Sequence, residues 1–193
     1  MKEISNQVLS ILLIVAILAT VSETVFLIPK IGVPAKTTGA VTGLTKVNVT
    51  SAIVISLPTS TVDFGVLFQG DSKNTTTDSP TGLTVQNDGS VDVNVSLARD
   101  ASSSALFSGS GGGDNTNTFQ FAVANSTELG SFNWAGSTTA WTNVPGTTPV
   151  KAIAILKWQD ATDLARVNLL IRVPSDEPTG AKSETLVFTA QQA

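Results

Sequence analysis

From Val91 to Leu97 the chain alternates apolar and polar residues without a break, Val-Asp-Val-Asn-Val-Ser-Leu. A period of two puts Val and Leu on one face of an extended strand and Asp, Asn and Ser on the other. Leu186, Phe188 and Ala190 alternate with Val187 and Thr189 in the same way. Further short runs rich in Val, Ile, Thr and Phe are separated by Gly, Pro, Asn, Asp and Ser. They predict strands at 46–50, 52–57, 61–68, 83–86, 91–98, 118–124, 140–144, 150–157, 166–173 and 183–190. Asn87-Asp88-Gly89, ahead of the fifth of these, is a tight-turn signal. One helical turn is expected at 160–164, and no other helix beyond residue 28. Many short strands at this spacing predict an all-β fold, a single β-sandwich.

The N-terminal segment breaks that pattern. Residues 8–28 (VLSILLIVAILATVSETVFLI) are apolar apart from Glu23, long enough for one hydrophobic α-helix that spans a bilayer core of about 30 Å. Ser5 or Asn6 caps it, and Pro29 ends it ahead of Lys30. Two readings of this segment stay open: a cleaved signal peptide, or a retained helix that serves as membrane anchor or filament core. The stretch is long for a signal peptide, and its small-residue cleavage sites, Thr20-Val21-Ser22 and Val33-Pro34-Ala35, are poor or distant. Glu23 would be costly deep in lipid and is tolerable at the interface. Lys2 precedes the helix and Lys30 and Lys36 follow it, so loop charge alone would place the following chain inside. The sequons below argue for export. The chain thus divides into a hydrophobic helix at 1–30, a flexible linker or extended arm at 31–45, and an extracellular β-sandwich domain at 46–193.

Composition agrees with an exterior location. Charged residues make up 13% of the 193, about half the usual share, and Thr, Ser, Asn and Gly replace them. Eleven scattered Lys and Arg against a net charge of −4 exclude a nucleic-acid binder. Without His and Cys there is no Ser-His-Asp or Cys-His arrangement and no His-ligated zinc. No acidic residue stands in an aromatic-rich sequence context of the kind that raises a carboxyl pKa, so a non-enzyme is expected, with no catalytic residue, no cofactor and no metal. Asp114-Asn115-Thr116-Asn117, Asp160 with Asp163, and Asp176 with Glu177 offer oxygen ligands, but none has EF-hand or calcium β-roll spacing. They read as solvated loop carboxylates. Residues 108–113 lack the Lys-Ser/Thr of a phosphate loop and read as a linker. Trp134, Trp141 and Trp158 are either core and rim anchors, the preferred reading, or a platform for sugars. Asn48, Asn74, Asn94 and Asn125 each open an Asn-X-Ser/Thr sequon and are the candidate glycosylation sites.

The segments 53–70 (IVISLPTSTVDFGVLFQG), 83–97 (LTVQNDGSVDVNVSL) and 173–190 (VPSDEPTGAKSETLVFTA) resemble archaeal cell-surface proteins that carry an N-terminal hydrophobic helix and an immunoglobulin-like sandwich. More distantly they resemble biofilm fibre subunits of the camelysin and TasA type. The N-terminal helix is similar in kind to those of type IV pilins, although no Lys/Arg-Gly/Ala prepilin peptidase site precedes it. The resemblance implies an immunoglobulin-like fold, a membrane-anchored or filament-assembled location at the cell surface, and self-association, with glycans as further partners. It also implies donor-strand exchange, with residues 40–50 as the donor. The alternative is that 46–50 pairs within its own domain. The camelysin-type relatives have been classed as metallopeptidases; the absence of His-Glu-X-X-His speaks against that activity here. Two function readings result: a self-assembling filament subunit, or a membrane-anchored S-layer or adhesin-type surface protein.

Overall fold

The computed structural model describes Ile14, residues 47–77 and residues 80–193. The helix at 1–30, Ile14 apart, and the arm at 31–45 lie outside the described residues. Among those described, no helix is long and apolar enough to cross a membrane.

Residues 49–193 form one compact unit of two antiparallel sheets. The strands are β1 (Ile55–Thr59), β2 (Ser72–Asn74), β3 (Leu83–Asn87), β4 (Val93–Arg99), β5 (Phe119–Asn125), β6 (Thr142–Asn143), β7 (Val150–Leu156), β8 (Leu164–Arg172) and β9 (Leu186–Gln192). The larger sheet runs β1-β3-β8-β5-β6, with β2 pairing the far half of β8 beside β3; the smaller runs β7-β4-β9. All-β is therefore the observed class. Strict alternation decides the inward faces: Val93, Val95 and Leu97 of β4 are fully buried, whereas Asn94 and Ser96 between them are not. Strand β8 lies mid-sheet and is covered on both faces, so Asn168 and Leu170 are buried as well as Val167, Leu169 and Ile171. One contiguous core joins both sheets through Val85, Val95, Leu97, Phe121, Ile153, Leu156 and Val167.

Several expectations shift. The Asn87-Asp88-Gly89 turn forms, but it carries the chain from β3 in one sheet to β4 in the other instead of closing a hairpin. Asn87 is fully buried there, its Nδ2 donating to Val91 O (2.9 Å) and Leu156 O (3.0 Å). A Cβ on Gly89 would lie 2.4 Å from Ala52 O, so the corner needs glycine. No strand forms at 61–68: Asp63 Oδ1 accepts from Gly65 N (2.8 Å), and Gly65 turns the backbone at φ +72°. Residues 47–50 pair with nothing as a strand. Residues 160–162 make a turn rather than a helix, and Leu164 already belongs to β8. One helical element beyond residue 28 was not foreseen, the 3-10 turn Trp134–Gly136, capped by Asn133.

Candidate functional site

A sheet edge left open among the described residues is the most distinctive surface. Strand β9 pairs with β4 over all seven of its residues with no break in register. Asp100 N donates to Thr185 O (2.8 Å) and Ala193 N to Asp92 O (3.0 Å). In an antiparallel ladder such hydrogen-bonded pairs recur at every second residue, so Val187, Thr189 and Gln191 direct their N–H and C=O groups at β4. Leu186, Phe188, Ala190 and Gln192 direct theirs outward. No described residue bonds to these outward groups. The strand carries no charge, no proline and no bulge, three of the devices that blunt an edge.

The edges at β7, β1 and β6 are protected. Alongside β7, Asn133 N donates to Ala154 O (2.9 Å), Thr138 N to Ala152 O (2.9 Å) and Lys157 N to Ser131 O (2.9 Å), so the 131–138 segment covers it. Strand β1 has an irregular register and contains Pro58, and β6 is only two residues long. The 47–50 segment is unpaired, with Val47 83% and Val49 82% exposed. Its Val-Asn-Val-Thr sequence has the alternation of a strand.

The four sequon asparagines stand on different elements. Asn48 is exposed in the unpaired segment; Asn74 ends β2, Asn94 sits on the outer face of β4 and Asn125 ends β5, all three half-buried. Asn74 Oδ1 accepts from the amides of Thr76 (2.8 Å) and Thr77 (3.1 Å), which builds a tight polar turn around that sequon. Asn94 Oδ1 accepts from Ile155 N (3.1 Å) at the irregularity in β7, where Ile155 takes φ +52°. None of the three tryptophans is buried: Trp134, Trp141 and Trp158 are 52%, 37% and 44% exposed. That overturns the core half of the preferred reading, because the core is filled by Phe and aliphatic side chains. Trp134 stacks on buried Phe132 with ring centroids 5.8 Å apart and so anchors the rim.

The acidic loop residues are not uniformly solvated. Asp114 pairs with Arg99 through two bonds, Nε to Oδ1 (2.8 Å) and Nη2 to Oδ2 (2.7 Å). The Arg99 hydrogen bond holds the Asp114 carboxyl below its usual range. Glu177 is only 3% exposed and accepts from Ser108 N (2.9 Å) and Gly109 N (2.6 Å), while Asp176 accepts from Ser110 N (2.7 Å). The glycine-rich stretch is thus a cradle of amides that carboxylates of the same chain already fill, and no mere linker. Alternation gives no hint of this, since both partners lie in loops.

Glu184, just before β9, also departs from expectation. It lines a narrow cleft with Leu106, Phe107, Phe119, Val144 and Asp114, and its Oε2 accepts from Leu106 N (2.6 Å). Burial pushes its carboxyl up to about 7, against the opposing pull of the Leu106 amide and Arg99. An aromatic-lined acid therefore exists, assembled from residues distant in sequence. A folded pKa above the unfolded one gives a contribution present at acid pH that is lost as pH rises to about 7. Glu184→Gln should flatten this decline and stabilise the domain at pH 8 by roughly 1 kcal/mol, after discounting for partial exposure. Chemical denaturation from pH 4.5 to pH 8 measures it; parallel curves for the two proteins would refute the assignment.

Neither a protein-family model nor a curated protein matches this chain. Its function has to be argued from these surfaces.

Proposed function

We propose that this chain is a non-catalytic structural protein of the cell surface, a self-assembling subunit of an extracellular, pilus-like filament. In this reading the β-domain is an immunoglobulin-like sandwich on the outside of the fibre, and the apolar segment at 1–30 is its membrane anchor or its core. The observation that carries the proposal is the open β9 edge, uncharged, unbroken and seven residues long. The occupant is the 47–50 segment of a second copy, whose exposed Val47 and Val49 alternate with Asn48 and Thr50. Main-chain bonds to the edge supply affinity, and the alternating side chains supply register. The absence of His and Cys and the sequons at Asn48, Asn74, Asn94 and Asn125 support an exterior, non-catalytic role that needs no cofactor.

Ala190→Pro tests it, because that N–H points to the open edge and not to β4. The full chain should form filaments visible by electron microscopy, and the variant should stay folded by circular dichroism yet remain unassembled. Filaments of normal length from the folded variant would reject the β9 contact. A second reading, an S-layer or adhesin-type protein that presents the domain to glycans, is favoured by the three exposed tryptophans. It expects glycan-dependent quenching of their fluorescence and no filaments.

A further inference from the structure

All three tryptophans of the chain stand on one flank of the sandwich. The 131–138 segment closes the β7 edge, with Asn133 N bonded to Ala154 O (2.9 Å) and Lys157 N to Ser131 O (2.9 Å). Trp134 follows Asn133 directly, and Trp158 follows Lys157. Thr138 then ties the segment to both sheets, its N donating to Ala152 O (2.9 Å) and its O accepting from Val123 N (2.7 Å). Trp141 lies just beyond, next to Thr142 of β6. Rings of this size normally bury most of their surface. Trp134 nevertheless keeps 52% of its surface exposed, Trp158 44% and Trp141 37%. No indole Nε1 donates to a described residue.

The surroundings of the rings decide what they can hold. From Leu129 to Val150 the chain carries no charged residue, and the paired β7 stretch adds only Lys151 and Lys157. The exposed polar groups beside the rings are the amides and hydroxyl of Asn133, Gln159 and Thr142. Asn133 Oδ1 accepts from Gly136 N (3.2 Å), and its Nδ2 has no partner among the described residues. A protein contact draws on contiguous apolar side chains, and an anionic surface draws on clustered basic ones. Indoles interleaved with neutral amides and hydroxyls suit a neutral sugar instead. A pyranose with equatorial hydroxyls offers flat C–H faces to the electron-rich rings and a rim of hydroxyls to the amides. Trp134 and Trp158 leave the Ser131–Lys157 pair in opposite directions, so their backbones stand about 13 Å apart along this ladder. One sugar ring cannot bridge that distance; an extended oligosaccharide can.

We propose that this flank binds a neutral, extended oligosaccharide, with Trp134 and Trp158 as stacking platforms, Trp141 as a third, and Asn133 and Gln159 as hydrogen-bonding groups. The proposal takes from the second reading above only the contact with glycans, and it holds equally for a filament subunit. The small sheet runs β7-β4-β9, so the sugar flank and the open β9 edge lie on its opposite sides. Assembly through β9 leaves the tryptophans free.

The experiment is titration calorimetry of the full chain in mild detergent against cellohexaose and chitohexaose, with hexagalacturonate as the charged counterpart. At least one neutral hexasaccharide should bind and the charged one should not. Raising the salt from about 50 to about 500 mM should change the affinity by less than about two-fold, because no ion pair is involved. Trp134→Ala and Trp158→Ala should each weaken binding by roughly 3–10-fold, the loss of one aromatic contact, with filaments and circular dichroism unchanged. If Trp134→Ala disturbs the fold through Phe132, Trp158→Ala carries the test alone. No heat with either neutral hexasaccharide overturns the proposal, and loss of filaments in folded Trp158→Ala besides would make the flank a contact between copies. Binding unchanged in Trp158→Ala also overturns it, as does tighter binding of hexagalacturonate that salt abolishes. A wild type that binds the sugar but forms no filaments strikes the assembly reading and supports this one.

Discussion

Glu177→Ala should lower the stability of the domain by roughly 3–4 kcal/mol, an appreciable fraction of the 5–15 kcal/mol typical of a folded domain. The carboxylate ties the 173–185 loop to the 108–110 stretch through Ser108 N and Gly109 N, and it meets Lys182 Nζ at 2.5 Å. Truncation leaves two amides without their acceptor, each costing about 1–3 kcal/mol if it stays dry. Lys182 is partly exposed and returns to water, so the loss of the ion pair itself adds less. Glu177→Gln keeps the volume and one acceptor and should cost about half as much. Burial opposes the charge on Glu177, but Lys182 and the Gly109 and Ser108 amides outweigh it and depress the pKa. A depressed folded pKa gives stability that is present above the ordinary glutamate value and lost as pH falls through the folded one. Urea unfolding at neutral pH and at pH 3 checks both points, since the gap between wild type and Glu177→Gln should narrow in acid. Equal stability of all three proteins at neutral pH would show that the cradle is incidental.

Phe121→Ala should be at least as damaging, at about 3–5 kcal/mol. Phe121 is the largest fully buried side chain, on a strand held between β8 and β6, with Leu169 and Thr142 as its cross-strand partners. Truncation removes apolar contact with both sheets and leaves a cavity that the rigid ladders cannot collapse around. Tm should fall by roughly 6–20 °C. Phe68→Ala is the matched control: Phe68 is 76% exposed, so its loss should change Tm little. Calorimetry on both variants decides; comparable losses would mean that the core is not where the burial pattern puts it.

The strands that alternate most strictly were the most legible in the sequence. Residues 91–98 announce β4 because Val93, Val95 and Leu97 face the core while Asn94 and Ser96 do not, the condition that generates a period of two. Strand β2 gave no such signal: Ser72, Lys73 and Asn74 are polar and pair only with the end of β8. The 61–68 run looked like a strand because Val62, Phe64 and Leu67 touch the core, yet the Asp63-Gly65 turn prevents a ladder. The acidic residues were least legible. Nothing local distinguishes Glu177 and Asp163 from Asp160; loops separated by dozens of residues bury the first two. The same holds for Glu184, whose aromatic neighbours Phe107 and Phe119 arrive from another part of the chain. The β9 edge was half legible, since its alternation is written in the sequence and its missing neighbour is a matter of topology.

The order of strands in the smaller sheet sets a timetable. Among the described strands β4 pairs with β7 and β9, and β9 is the last of them in chain order. Strand β3 likewise waits for β8 before it has its second neighbour. Most of the ladder is therefore non-local, which makes folding slow and late. Until β9 has been made, β4 lacks one of its two ladder neighbours and the smaller sheet is incomplete. A domain wired this way completes its larger sheet first, at β8, and closes its smaller sheet only when β9 arrives.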